Sequence, residues 1–329
     1  MKRLGGVYDA ICDYGNLLDA FGKVQRGKRS RPDIESFRDH LDGKLLELSA
    51  QLQAGDCDFG HYRSFKVFDP KERTIHAALV RERVIHHAVV NRCGAWLEAG
   101  LIDDSYACRR GKGQHAALRR AQEFARRHEW CLKLDIRSYF DSIDHALMLA
   151  KLNRRVKDAR LMALFDALLE SYSTAPGKGL PIGNLTSQYF ANLYLDAFDR
   201  WAGERANRSY LRYMDDMLVF GTQEDLRELK RSAADWAREH LLLTVKHGGD
   251  LLRVSRGVDF LGFQLRDGQL RLNRRSKRRF LFKLKELRTA LAAGTIDEAR
   301  YQQRATALFA FVAQGDTYHF RLRHALRED

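Results

Sequence analysis

Tyr213-Met214-Asp215-Asp216 sets two consecutive carboxylates between short apolar β-type runs at 209–214 and 217–220. The pattern predicts a β-hairpin with the acids at its tip and Gly221 closing the second strand. Asp is a common turn former, so the pair alone says little beyond a turn. A third acid changes the reading. Segment 130–134 has the pattern of a buried strand, and Asp135 follows it. A strand-end Asp facing a hairpin-tip pair needs two separate β segments side by side, and it gathers hard oxygen donors. Mg²⁺ takes one or two carboxylates plus substrate phosphates, and phosphoryl transfer often uses two such ions roughly 4 Å apart. Asp135, Asp215 and Asp216 are therefore the candidate catalytic and metal-binding residues.

The charge balance supports a polyanionic partner. A net charge of +14 over 329 residues exceeds what solubility needs, and points to nucleic acid or an acidic membrane surface. No run of 18 apolar residues occurs and the first residues lack a signal-peptide core, which argues against the membrane. Cys12, Cys57, Cys93, Cys108 and Cys131 are scattered without a C-x-x-C spacing. They fit a reducing cytoplasm, with neither a disulfide framework nor a zinc site. With 45% hydrophobic and 30% charged residues and only four prolines, the chain reads as globular, with one large or two to three smaller lobes and no long linkers.

Periodicity orders the rest. Residues 1–55 read as helical around the basic loop 26–32, which is either solvated surface or a phosphate contact. Segments 62–68 and 73–78 read as a hairpin carrying Lys71 and Arg73 at its tip, either a triphosphate grip or an ordinary exposed turn. Segment 81–97 is a helix on which His86 and His87 lack partners at metal-ligand spacing. Segment 106–113 is a glycine-broken basic loop with Arg109 and Lys112, suited to a nucleic-acid phosphate. Beyond Asp135 the chain enters a helix near His145, and Tyr139 and Phe140 are either core or the wall of a sugar pocket. Residues 146–172 read as helical. Segment 180–188 precedes an apolar helix over 189–201, with Gly183 able to approach a base pair and Asn184, Thr186 or Ser187 able to cap. After the hairpin come a helix over 223–240, strands at 241–245 and 258–265, and a helical segment 271–329 with fourteen Lys or Arg against six Asp or Glu.

Six blocks, in order, carry a family resemblance. Arg73-x-Ile75 with Glu82-Arg83, then 106–113, 135–144, 181–188, 213–216 and 260–263, follow the sequence blocks of reverse transcriptases over roughly residues 60–265. The resemblance implies an α+β, right-handed fingers–palm–thumb polymerase, its palm an antiparallel sheet packed on helices and its thumb helical. Residues 1–55 would be an N-terminal helical extension, 56–95 and 142–184 the fingers, 96–141 and 185–268 the palm, and 269–329 a basic thumb. It implies an RNA-directed DNA polymerase using two Mg²⁺ ions and dNTP substrates. By position, Asp135 and Asp215 resemble the metal-binding acids, with Asp216 beside them and the Ile136 carbonyl as a further ligand. Lys71 and Arg73 match the triphosphate contacts and Phe140 the sugar gate, while Ile182, Gly183 and Gln188 lie along the templating pair. Arg83, Arg109, Lys112, Arg274, Arg275, Lys277 and Arg278 are the expected contacts of template RNA and of the RNA/cDNA duplex.

Segment 182–188, Ile-Gly-Asn-Leu-Thr-Ser-Gln, most resembles the enzymes of diversity-generating retroelements, where other reverse transcriptases usually carry Gln-Gly and end in Ser-Pro. That implies error-prone cDNA from a retroelement template RNA, miscopied at adenines to diversify a protein. It also implies a small basic accessory variability protein as partner and a cytoplasmic enzyme of bacterial, archaeal or phage origin. Ile182 in place of Gln removes an amide near the incoming nucleotide, which weakens discrimination by about 1–3 kcal/mol. Asp141 departs from the usual Pro, as an extra carboxylate or a helix cap, and Lys246 and His247 both stand as candidates for the general acid on pyrophosphate. No nuclease or maturase extension is expected after the thumb. The rival readings are a group II intron, retron or defence-type reverse transcriptase, and a catalytically idle RNA-binding scaffold of the same fold. A bulky Phe140 disfavours an RNA-dependent RNA polymerase.

Overall fold

The computed structural model describes residues 3–68, 72–266 and 268–325. The fold is mixed helix and sheet, and its named strands all pair antiparallel, as expected. Two units share the chain. One takes it to Asp103, then Ile136–Arg200 and Ala234–Lys246; the other takes Asp104–Asp135, Trp201–Ala233 and the chain from His247.

In the first unit the helix Tyr14–Val24 starts where Asp13 accepts the Asn16 N–H (3.1 Å), and it buries Leu17, Ala20, Phe21 and Val24 at helical spacing against the helix Val80–Ala99. The basic loop ends at Pro32, which opens the helix Pro32–Arg38, and Leu41–Ala54 completes the N-terminal layer. Strands β1 (Tyr62–Phe68) and β2 (Glu72–Ala78) form an arm in register from Tyr62↔Ala78 to Phe68↔Glu72. Its turn, with Lys71, lies outside the described residues. The helical stretch expected over 146–172 is two helices, His145–Asn153 and Ala159–Glu170. Asp144 caps the first through Leu147 N–H (3.0 Å) and Asp158 the second through Leu161 N–H (3.3 Å). The next helix begins at Leu185 rather than Tyr189, running Leu185–Tyr194 before Asp196–Arg205. Thr186 and Ser187 look like loop residues in sequence but are buried inside its first turn.

The second unit is built on β3 (Trp130–Asp135), β4 (Tyr210–Tyr213), β5 (Asp216–Gly221) and β6 (Asp250–Arg253), ordered β4-β5-β3-β6. Cys131, Leu132 and Leu134 of β3 are fully buried, as befits an inner strand. The strand expected at 241–245 is absent. The helix Gln223–Leu241 runs into it, Leu242 turns left-handed (φ +54°), and β6 forms later. The strand expected over 258–265 is a hairpin, β7 (Val258–Phe260) and β8 (Phe263–Arg266), and β9 (Gln269–Leu272) pairs alongside. Its two-residue turn has Leu261 at φ +47° and Gly262 at φ +87°, the left-handed pair that such turns require. Only then do the helices Arg274–Ala292, Glu298–Val312 and Tyr318–Ala325 follow, so the last segment is not helical from residue 271. Phe124 of the helix Gln114–Ala125, Phe220, Phe260, Phe263 and Phe280 share the core of this unit.

Candidate active site

The register of the central sheet sets the acids. Tyr213 pairs with Asp216, so Met214 and Asp215 alone form the turn between β4 and β5. Asp216, expected at the tip, is instead the first residue of β5 and lies opposite Asp135, the last residue of β3. Directly opposed residues put their side chains on the same face with Cβ atoms about 5 Å apart. Burial pushes the Asp216 carboxyl up to about 6; the Lys133 ammonium opposes this, and the Asp215 and Asp135 carboxylates add to it. Lys133 Nζ lies 3.2 Å from Asp216 Oδ1, an ion pair without hydrogen-bond alignment, and donates to the Asp259 carbonyl at 2.7 Å. Among the described residues no three His, Cys, Asp or Glu side chains converge as a ready-made metal cluster. Mg²⁺ does not demand one, because water and substrate phosphate complete its sphere. Hard carboxylates that repel one another, one with a buried oxygen lacking a hydrogen bond, fit such an ion.

Two residues that sequence reasoning passed over hold this hairpin. Arg212 is fully buried; its Nη1 donates to the Met214 carbonyl at 3.0 Å. Its backbone N–H donates to Asp104 O and its carbonyl accepts from Tyr106 N–H, each at 2.9 Å. Met214 sits at φ +58°, a conformation that costs a non-glycine residue energy, so the turn depends on being held from below. Lys133 is the second. The available signal was a lone cation inside an otherwise buried run, Tyr-Leu-Arg-Tyr for one and Trp-Cys-Leu-Lys-Leu-Asp for the other.

The remaining candidates divide between the units. In the first, Ile136 is buried and bridges Val245. Tyr139 is the core member of its pair, its hydroxyl donating to the Ala191 carbonyl, whereas Phe140 is only half-buried with its ring edge-on to Tyr139 at 5.9 Å. The Ile182 carbonyl accepts from His76 N–H at 3.0 Å. Gly183, at φ +128°, makes its close approach to β2: a Cβ there would lie 3.1 Å from Ile75 Cγ2 and 3.2 Å from the His76 carbonyl. Gln188 lies in the first turn of Leu185–Tyr194 rather than in a loop. Asn184 does not cap that helix; its amide donates to Tyr62 Oη at 3.3 Å. Thr186 Oγ1 pairs with buried His86 Nδ1 at 2.8 Å, so His86 is a packing residue. Arg73 is exposed on β2, opposite Val67. Arg83 is ion-paired to Asp33 (2.7 Å) and lines, with Lys28, Arg31, Arg63, Arg81 and Phe65, a cavity of about 930 Å³. Asp141 is not a cap, since Asp144 fills that role; desolvation raises its carboxyl, with His76 opposing. Lys246 shares the short turn Lys246–Gly248 with His247 (φ +52°). In the second unit, Arg109 Nη1 donates to the Ser105 carbonyl (2.8 Å) and Lys112 lies over the Tyr106 ring (5.3 Å). Arg274, Arg275, Lys277 and Arg278 are exposed at the start of a helix capped by Asn273, with no acid in its first turn.

Residues 69–265 match the family model described as reverse transcriptase (RNA-dependent DNA polymerase). Protein YkfC of Escherichia coli K12 is 23% identical over 249 residues, 69% of this chain and 64% of that protein. The putative COX1/OXI3 intron 2 protein of Saccharomyces cerevisiae is 20% identical over 337 residues, 78% of this chain and 38% of that protein. The group II intron-encoded protein LtrA of Lactococcus lactis subsp. cremoris is 25% identical over 142 residues, 40% of this chain and 23% of that protein. The chain thus spans less than two thirds of the length of these relatives. Among solved structures, apo telomerase from Candida tropicalis has a TM-score of 0.49 at 9% identity, over 65% of this chain and 49% of that one. With more than half of its length matched by the family model, the chain belongs to the reverse transcriptase family.

Proposed function

We propose that the protein is an RNA-directed DNA polymerase that extends a primer along a template RNA. The observation that carries this is the register placing Asp135 opposite Asp216 beside the Asp215 turn. Asp135, Asp215 and Asp216, with the Ile136 carbonyl, would hold Mg²⁺. The chemistry supplied by the bound ions is activation of a primer 3′-hydroxyl and neutralisation of the triphosphate for in-line attack. Arg73 and Lys71 would grip the triphosphate oxygens, Phe140 would exclude a 2′-hydroxyl, and Lys246 or His247 would protonate the leaving pyrophosphate. In this reading residues 1–55 are an extension, 56–95 and 142–184 fingers, 96–141 and 185–268 palm, and 269–329 thumb. The cation-lined cavity beside Arg63 and Arg83 suits the template backbone, and the basic helix start at Arg274 suits the duplex.

Two finer readings each have an observation behind them. Segment 182–188 favours error-prone, adenine-directed copying for a retroelement, with an accessory protein. Likeness to intron-encoded proteins favours a group II intron type of enzyme. The test is to sequence cDNA made on a defined RNA, with and without co-purifying protein. Errors concentrated at adenines select the first reading, and even, rare errors select the second. No extension under either condition, with RNA still bound, makes the protein a scaffold.

A further inference from the structure

Among its described residues, the arm of β1 and β2 is supported only near its base. Residues 63–68 and 72–74 are exposed, Phe65 by 47% and Phe68 by 74%. The described bonds from the arm to the rest of its unit gather around His76. Its backbone N–H donates to the Ile182 carbonyl at 3.0 Å, and its carbonyl lies against Gly183. Its ring engages both nitrogens: Nδ1 is 2.9 Å from Ser64 Oγ across the arm, and Nε2 is 3.1 Å from Tyr172 Oη just beyond the helix Ala159–Glu170. The rings of His76 and Tyr172 are 4.8 Å apart, and Tyr62 meets Tyr172 edge-on at 5.9 Å. Tyr62 Oη in turn pairs with Ser171 Oγ at 2.9 Å and accepts from Asn184 at 3.3 Å. One residue thus bonds the 182–183 segment through its main chain and the end of a helix through its side chain.

We propose that His76 is the positioning residue that fixes the angle of this arm and, through it, the approach of Arg73 to a nucleoside triphosphate. The second half rests on the polymerase reading above; the first half does not. Arg73 lies three residues along the same strand, about 10 Å from the joint at the usual rise. A 10° rotation at His76 therefore moves Arg73 by about 2 Å, enough to take its guanidinium out of the roughly 3 Å reach of a phosphate oxygen and so weaken nucleotide binding. A side chain that merely filled space would be replaceable by any group of similar bulk. One that sets an angle through two hydrogen bonds must be replaced by a group able to make both.

The test compares His76→Ala, His76→Leu and His76→Gln in the full chain. Hydrogen exchange of the amides of residues 72–78, relative to those of the helix Val80–Ala99, reads the joint without needing activity. It should accelerate at least tenfold in the Ala and Leu variants and return towards wild type in the Gln variant. Unchanged exchange in 72–78, or equal acceleration in the helix, overturns the proposal. Primer extension then reads the consequence: KM for dNTP should rise about tenfold in His76→Ala with kcat changed less than threefold and RNA affinity unchanged. A fall in kcat at constant KM overturns the link to Arg73. If the wild-type chain does not extend a primer, the polymerase reading fails while the exchange data still decide whether His76 sets the arm.

Discussion

At the scale of single residues, the carboxylates differ in where they stand. Asp216 is half-buried, with its Oδ1 out of solvent and ion-paired to Lys133, whereas Asp215 stands in the turn itself. On the polymerase reading, removing Asp215 should cost catalysis first. Asp215→Ala is expected to abolish primer extension while RNA affinity stays within about twofold; extension above a trace would remove it from the site. Phe140 is half-buried where its neighbour Tyr139 is core, so Phe140→Ala should admit ribonucleotides without unfolding the protein. Unchanged rejection of ribonucleotides in an incorporation assay would show that the ring is not the gate. His86 makes a different kind of prediction. Burial holds its imidazole far below the ordinary range, at about 3, and the neighbouring His87 adds to the effect. The folded state thus excludes a proton that the unfolded chain binds below about pH 6.5. The stability from keeping His86 neutral is complete above that pH and is lost as pH falls towards 3, at up to about 1.4 kcal/mol per pH unit. Urea unfolding at pH 7 and pH 5 should show wild type losing about 2 kcal/mol more than His86→Gln does over the same interval.

At the scale of elements, the β7–β8 hairpin shows both what can be read from a run of residues and what cannot. Val258 and Phe260 are buried, and so are Phe263 and Leu265. The buried positions change from even to odd across Leu261-Gly262, and that parity shift marks a turn which a single apolar run conceals. Gly262 is specific to it. At φ +87° an added Cβ would lie 2.8 Å from Ser276 Oγ and 3.1 Å from Phe311 Cζ, on the two helices that follow. Gly262→Ala should therefore cost about 1–3 kcal/mol, measured as a lower urea midpoint at unchanged slope; a wild-type midpoint would mean the turn relaxes freely. Other elements had no comparable signal. Strand β6 is half-exposed at an edge with no alternation, so nothing distinguished it from the loop around it, while 241–245 looked more strand-like and holds only the last residue of a helix followed by the left-handed turn at Leu242. The acids were legible because apolar runs bracket them, and sheet register did the rest. Arg212 and Lys133 were not, because a long cation's partners are chosen by the tertiary fold rather than by its neighbours in sequence.

At the scale of the whole molecule, the excess of 14 positive charges is unevenly spent. Arg83 is ion-paired to Asp33, Arg120 to Asp104 and Arg155 to Asp196, and these cations stabilise the fold they sit in. The start of the helix Arg274–Ala292 is the opposite case. Arg274, Arg275, Lys277 and Arg278 are exposed at a helix N-terminus, where the backbone N–H groups already present positive charge and each added cation costs about 0.3–1 kcal/mol. Placing four cations where the helix disfavours them makes physical sense if an anion neutralises both. A nucleic-acid backbone does so and releases counterions, so that affinity falls with salt in proportion to the phosphates engaged. The measurement is the affinity for an RNA/DNA duplex between about 50 and 300 mM KCl, in wild type and in a variant with these four residues changed to Ala. The slope of log affinity against log salt should become shallower by about 3 in the variant, close to one counterion for each phosphate no longer engaged. Its thermal stability should hold or rise as the unfavourable helix-end charges disappear. A slope that does not change, with stability improved, would mean that the cluster is a solvated face and that the basic charge of this chain serves its partner elsewhere.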